Sequence, residues 1–301
     1  LAKKTTILLY GRTRAGKSTQ IGELAESVYK KTGKKTRLYT IDRGGVDAIR
    51  PYIELGIIEP VMQENTSPWI FLNKAVRGYV RDANGKWVKD DKRNEDIGFF
   101  AFESLTAFAD ALMTDLANKS AENVNIGGGA NINFTATGDG ETLKISGNNM
   151  SHYNVVQMRI TEEVWESQKL DADYIMWTAS VSKDDDSTSS TKVLGPEVIG
   201  KKLTAEVPRW FNLSFRIDCT PATKTPPKPE SHILYLGNSV DASAGNAVSL
   251  GNTRIPMDAP ALPSSIEPAS IVQALDKISA SNDAALKVIK ARLGLNKLSI
   301  S

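Results

Sequence analysis

Cysteine is nearly absent from this chain: Cys219 stands alone among 301 residues. That excludes an internal disulfide and a metal centre built on cysteines. Histidine is scarce as well, and His152 and His232 lie too far apart in sequence to suggest a metal pair. No apolar run approaches the ~18 residues that span a bilayer, so no membrane partner is expected. Charge of one sign is not in excess, with 37 Lys and Arg against 35 Asp and Glu and a formal net charge of +2. Whole-chain electrostatics therefore do not mark a nucleic-acid binder, and any basic surface must be local. No internal repeat is visible. The opening LAKKTTILLY has basic residues but too short an apolar run for a secretory signal. Without an initiator Met, it reads as a processed or trimmed start.

What is present is ordinary globular material, 41% hydrophobic and 24% charged, enough for a core of normal size. Short apolar runs alternate with helical spacing in the first half. TTILLY (5–10) reads as a buried strand ended by Gly11. Residues 17–32 read as a helix, with Ile21, Leu24, Ala25 and Val28 on one face and Gly33 as its stop. TRLYTID (36–42) and GIIEPVMQ (56–63) read as strands, Pro68 opens a helix, and DANGKWVKDDKRNED (82–96) reads as an exposed hairpin or loop around Asn84-Gly85. IGFFAFESLT (97–106) is the most buried-looking strand, and a helix follows it. Strands alternating with helices predict an α/β fold with a mainly parallel sheet.

Composition shifts after that helix. Residues 123–150 are rich in Gly, Asn and Thr, and two alternating pieces flank Gly138-Asp139-Gly140, which predicts a β-hairpin inserted on the surface. Helical spacing returns over 151–170, and DADYIMWTASVSK (171–183) predicts another strand. The polar DDDSTSSTK (184–192) is expected as a loop. FNLSFRIDCT and SHILYLGN are late strands joined by a Pro-rich loop (220–230). The expected organisation is a nucleotide-binding domain over 1–255, a linker over 256–269 and a C-terminal helical tail over 270–301.

The chemistry sits at the first glycine. Gly11-Arg12-Thr13-Arg14-Ala15-Gly16-Lys17-Ser18-Thr19 matches the phosphate-loop (Walker A) pattern G-x4-G-K-[ST], between a strand and a helix as that motif requires. Glycines let backbone N–H groups turn inward around phosphate oxygens. The helix that follows points its positive end at the same place. Lys17 would reach the β- and γ-phosphates, Ser18 would ligate Mg²⁺, and Thr19 would sit beside the phosphates. At average composition the pattern arises by chance in roughly one chain of this length in a hundred. ATP and Mg²⁺ are the expected ligands.

Such a loop needs a second acid near the magnesium. Glu103 ends the apolar strand IGFFAFE; it either holds the metal through water or caps the following helix. Asp42 ends the second strand, on the ligand side of a parallel sheet. It either orients the attacking water or is an ordinary turn acid. Thr178 and Ser180 end the later strand, as γ-phosphate sensors or as packing.

The ordered segments GRTRAGKST, TIDRGG, FFAFESLT, YIMWTASVS and LGPEVIGKKLTAEVPRWFNLSFRID resemble the phage-encoded RecA-like nucleotide-binding proteins. That group takes in AAA-type ATPases and single-strand-annealing recombinases. The resemblance covers about residues 5–240. It implies a RecA-like P-loop NTPase core that hydrolyses ATP, assembles with itself as a ring or filament, and acts on single-stranded DNA or with other phage proteins. The setting it implies is the cytoplasm of an infected bacterium, with virion association as a second possibility. Lys201 and Lys202 match a basic position that in such assemblies reaches a neighbouring subunit's nucleotide, or else form a solvated basic turn, with Arg209 and Arg216 as weaker candidates. Two departures bear on hydrolysis. Glu103 stands where the family usually has Asp, and Arg43, not an acid, adjoins Gly44-Gly45. For a single-strand site, which pairs basic residues with aromatic platforms, the candidates are Arg77, Tyr79, Arg81, Lys86 and Trp87.

Overall fold

A parallel sheet covered on both faces needs strands that are apolar throughout, and this chain supplies them. In the computed structural model the central strands are β1 (Thr5–Gly11), β2 (Lys35–Thr40), β3 (Ile58–Met62), β4 (Ile97–Glu103), β5 (Tyr174–Ala179) and β6 (Leu213–Thr220). Every residue of β4 is buried. The structure describes residues 4–295 except 43, 65, 90, 123–130, 139–140, 149–151, 186–191, 200, 221, 225–226, 238, 242–246, 250–251, 254 and 294. The nine-stranded sheet runs β6-β1-β5-β4-β2-β3 in parallel, with β7 (Ser231–Tyr235) and then β8 (Ser265–Ile266) added antiparallel outside β6, and the short strand Asn252–Thr253 also pairing antiparallel with β6. This is the mainly parallel α/β class expected from the alternating pattern.

Helices cover both faces. α1 (Lys17–Thr32) buries the predicted face, Ile21, Leu24, Ala25 and Val28, against Ile7, Leu9, Leu38 and Phe99. It stops at Gly33, where φ is +72° and the amide bonds the Tyr29 carbonyl at 2.8 Å. Each such aliphatic side chain contributes about 1.5–3 kcal/mol when fully buried. The opposite face is packed by α2 (Pro68–Ala75), α3 (Leu105–Glu122) and α4 (His152–Ser167). There Tyr39, Phe102 and Trp177 stack across β2, β4 and β5, with ring centroids 5.4 Å and 4.5 Å apart. The indole N–H of Trp177 donates to Ser167 Oγ at 3.0 Å, so its polar edge is satisfied in the core.

The C-terminal segment joins this core. Residues 256–269, read from composition as a linker, include β8, which pairs with β7. The last helix, α5 (Ile271–Arg292), buries Ile271, Ala274 and Ile278 in the α1 layer, and Gln20 of α1 bonds both the Ala269 carbonyl and the Ile271 amide. No described helix is long and apolar enough to cross a membrane.

Of the strand pairs outside the central sheet, two match their sequence patterns. Asn131–Gly138 and Glu141–Asn148 form the expected antiparallel hairpin. Val80–Arg81 and Trp87–Val88 pair around a turn with Gly85 at φ +76°. Val181–Asp185 pairs with Lys192–Pro196. The backbone at Asp184 and Asp185 is therefore strand, where a loop was expected; residues 186–191 lie outside the description.

β1 ends where glycine is required. Gly11 is in register with Ile217 of β6, and a Cβ on it would run into the Ile217 carbonyl oxygen. Gly11→Ala is therefore expected to destabilise the fold by about 1–3 kcal/mol through overpacking. Chemical denaturation reads this directly, and an unchanged midpoint would show that β6 yields without cost.

Candidate functional site

All six parallel strands point their carboxyl ends to one edge, where open α/β sheets bind ligands. β5 lies between β1 and β4, so the phosphate-loop strand and the Glu103 strand are not neighbours. Two strand spacings separate them, about 9.6 Å. The first turn of α1 closes that gap. Ser18 Oγ donates to Glu103 Oε1 at 2.5 Å, joining residues 85 positions apart.

The loop has the conformation its sequence calls for. Arg14 and Gly16 take left-handed backbone, φ +66° and +96°, and the Ala15 amide bonds the Arg12 carbonyl at 3.1 Å. Alternating handedness turns successive N–H groups toward one side as an anion-binding concavity. Gly16 caps α1 without a side-chain acceptor, and no acid occupies the first helical turn. The positive end of α1 is left for an anion. Arg12, Thr13, Arg14 and Thr19 are exposed, while Ala15 is buried.

Lys17 Nζ donates to the carbonyls of Gly11 and Arg12, each at 2.9 Å. Burial holds its pKa below the ordinary lysine value, with the nearby Glu103 charge opposing the drop. Burial pushes the Glu103 carboxyl above the usual carboxylate range. The Ser18 hydrogen bond and the Lys17 charge pull against that rise, and Asp42 adds to it. Glu103 Oε2 is buried and has no hydrogen-bond partner among the described residues. A Cβ on Gly45 would lie 3.1 Å from that oxygen, so the glycine holds the second-strand loop against the carboxylate. An orphaned carboxylate oxygen beside a serine hydroxyl is a donor set that fits Mg²⁺.

A cleft of about 530 Å³ opens over these groups, lined by the loop together with Asp42, Gly44, Gly45, Glu103, Ser104, Ser180, Glu230 and His232. Asp42 is thus in the same cleft as Lys17 and Glu103. One of its oxygens accepts from the Gly44 amide at 2.9 Å, which fixes the turn after β2. Ser180 lines the cleft. Thr178 is fully buried one strand turn back and is not among the lining residues. Lys201 and Lys202 open a short helix, Lys201–Glu206, and their side chains lie outside the described residues. The guanidinium of Arg216 is committed within the fold, paired with Asp218 at 3.0 Å and lying 4.1 Å from the centre of the Tyr235 ring.

Of the aromatic and basic group near the first hairpin, Lys86 is exposed and Tyr79 half-buried, while Trp87, Arg81 and Arg77 are committed within the fold. Trp87 is buried against Phe71, and the Arg81 guanidinium lies 4.6 Å from the centre of its ring. Arg77 pairs with the buried Glu163 at 2.8 Å. The hairpin folds back over the α2 layer, so these side chains close the core.

Two lining residues were missed in the sequence. His232 Nδ1 lies 3.0 Å from the Ala15 carbonyl, and Glu230 stands beside it. Cys219 donates its thiol hydrogen to Glu230 Oε1 at 3.1 Å, and that bond pushes the thiol pKa up to about 11, away from nucleophilic use. The available signal was Glu230-x-His232 at the mouth of a strand, where alternate residues share a face.

No protein-family model matches the chain. No curated protein matches it. Among solved structures, a KaiC-like protein from the hyperthermophilic archaeon Pyrococcus horikoshii is 10% identical over 82% of this chain and 88% of that one, with a TM-score of 0.42. The RadB recombinase is 12% identical over 82% of this chain and 90% of that one, with a TM-score of 0.39. Both likenesses are distant, and the α/β assignment rests on the chain's own strand order and register.

Proposed function

We propose that this chain is a P-loop ATPase that binds ATP and Mg²⁺ and works as a homo-oligomer on DNA, in the manner of the phage recombination and annealing proteins it resembles. One observation carries the reading. Ser18 and Glu103 meet at 2.5 Å beneath a left-handed phosphate loop, with a buried carboxylate oxygen beside them that has no hydrogen-bond partner among the described residues. The loop amides and Lys17 would cradle the phosphates, and Ser18 and Glu103 would hold Mg²⁺. The metal supplies neutralisation of phosphate charge when bound. Asp42, which lines the same cleft, would orient the attacking water, and Lys201 or Lys202 of a neighbouring copy is the proposed source of further positive charge. The proposed setting is the cytoplasm of an infected bacterium.

A second reading is phage assembly or DNA packaging, with the nucleotide site serving an interface. The exposed Met158 and Trp165, which share one face of α4 and line the same shallow groove, favour it, because large apolar side chains clustered at a surface mark protein contacts. Mass photometry with and without ATP–Mg²⁺ and a poly-dT oligonucleotide, beside phosphate release in the same samples, separates the two. ATP-dependent assembly on DNA with stimulated release, weakening as salt rises, is the expected result. A ring indifferent to DNA, with little turnover, would transfer the proposal to assembly. A monomer under every condition would overturn both.

A further inference from the structure

Beside the phosphate loop, three different metal-ligating side chains converge. Cys219 of β6 and His232 of β7 are directly opposed in the antiparallel register, so they project from the same face of the sheet. Glu230 precedes His232 by two residues and shares that face. The Cys219 sulfur, a Glu230 oxygen and a His232 ring nitrogen all lie within 4.8 Å of one another. Sγ to Oε1 is 3.1 Å, and His232 Nε2 to the same oxygen is 3.4 Å. A tetrahedral zinc ion holds its S, N and O donors about 3.3–3.6 Å apart. The trio therefore needs only small side-chain rotations to close on an ion.

A second observation is independent of that spacing. The Ala15 carbonyl only accepts hydrogen bonds, so Nδ1 of His232, 3.0 Å away, carries the ring proton. The other ring nitrogen, Nε2, faces Glu230 Oε1 at 3.4 Å and is the one left to meet a metal ion. A histidine whose far nitrogen donates to a backbone carbonyl is oriented as metal-bound histidines are. Sequence alone argued against a cysteine metal centre; the mixed donor set arises from strand register, which composition does not reveal.

We propose that Cys219, Glu230 and His232 bind a borderline divalent cation, Zn²⁺ by donor type, on the wall of the phosphate-loop cleft. Sulfur and imidazole together select zinc over magnesium. Three protein ligands leave one position for water. Binding replaces the Cys219 S–H···Glu230 hydrogen bond with metal–sulfur and metal–oxygen bonds, and the thiol proton leaves to solvent. Because His232 also holds the Ala15 carbonyl, the ion would brace the phosphate loop against the sheet.

Titrating the full chain with Co²⁺, without nucleotide, tests this. One equivalent should produce a thiolate-to-cobalt charge-transfer band, and one equivalent of Zn²⁺ should remove it. Cys219→Ser should abolish the band. His232→Ala and Glu230→Gln should each weaken Zn²⁺ binding by more than about tenfold. Glu230 is exposed, so its variant stays informative if the histidine variant unfolds. Absence of the band in the parent chain overturns the site. So does a band and a Zn²⁺ affinity that both survive Glu230→Gln unchanged, since Glu230 would then be no ligand. No nucleotide enters the readout, so failure here leaves the phosphate-loop reading intact.

Discussion

Lys17→Ala is expected to lower ATP affinity by at least about a hundredfold while the protein stays folded. The ammonium group of the lysine is drawn back onto the loop, held by the Gly11 and Arg12 carbonyls at 2.9 Å. A nucleotide offers phosphate oxygens in place of those carbonyls. Hydrogen bonds to charged groups contribute about 1.5–3 kcal/mol each. Losing even one or two of them, with the Coulomb attraction, reaches the ~3 kcal/mol that a hundredfold change requires. Stability should move far less. The ammonium is partly desolvated, and burial already lowers its pKa, so its removal also relieves a cost. The carbonyls it leaves are at the edge of an open cleft, where water replaces it. Calorimetric titration with ATP–Mg²⁺ and a thermal melt of the same samples check both halves. Unchanged affinity would remove the phosphate loop from the mechanism, and unfolding would make Lys17 a structural residue.

What could be read from the sequence here was local. GRTRAGKST carries its strand, turn and helix within a dozen positions, so its conformation follows from neighbours: Gly16 takes φ +96° and α1 begins at the next residue. Glu103 was legible because a fully apolar run ends in an acid. Its convergence with Ser18 on one metal was expected from the motif, but the direct contact was not, because it depends on β5 lying between β1 and β4, a fact of sheet order. The same limit hid His232 and Glu230, whose place beside Ala15 follows from β7 pairing with β6. Arg81 and Trp87 failed in the opposite direction. Their residue types suit a nucleic-acid platform, yet a two-residue strand pair folds the indole against Phe71 and the guanidinium over it. Residue type announces chemistry only when packing leaves the group facing out. The segment from 256 to 269 shows the matching problem for composition, since prolines suggested a linker where the chain lays down an edge strand.

Glu103→Gln is expected to cut ATP-dependent phosphate release by about two to three orders of magnitude, the scale of removing one preorganised electrostatic group, and to raise the stability of the nucleotide-free protein. The two effects share one cause. Glu103 is buried beside a serine hydroxyl, and burial dominates the upward shift of its pKa even against the Ser18 hydrogen bond and the Lys17 charge. Its ionised form therefore costs the empty fold free energy, which a divalent ion in the cleft would offset. Glutamine keeps an oxygen for Ser18 and removes the charge, so a gain of about 1 kcal/mol is expected, in the range of relieved functional strain. The pH dependence fixes the sign. A carboxyl whose folded pKa lies above its unfolded value binds more protons folded than unfolded between the two, so stability falls as pH rises through that window. The cost is complete above the folded pKa and absent below the unfolded value, about 4.3. The stability difference between Glu103→Gln and the parent should thus be largest at neutral pH and shrink on acidification. Denaturation at several pH values, with phosphate release at neutral pH, measures both. A variant that turns over normally would deny Glu103 any part in holding the metal. A pH-independent stability difference would mean that the gain comes from packing and not from a buried charge.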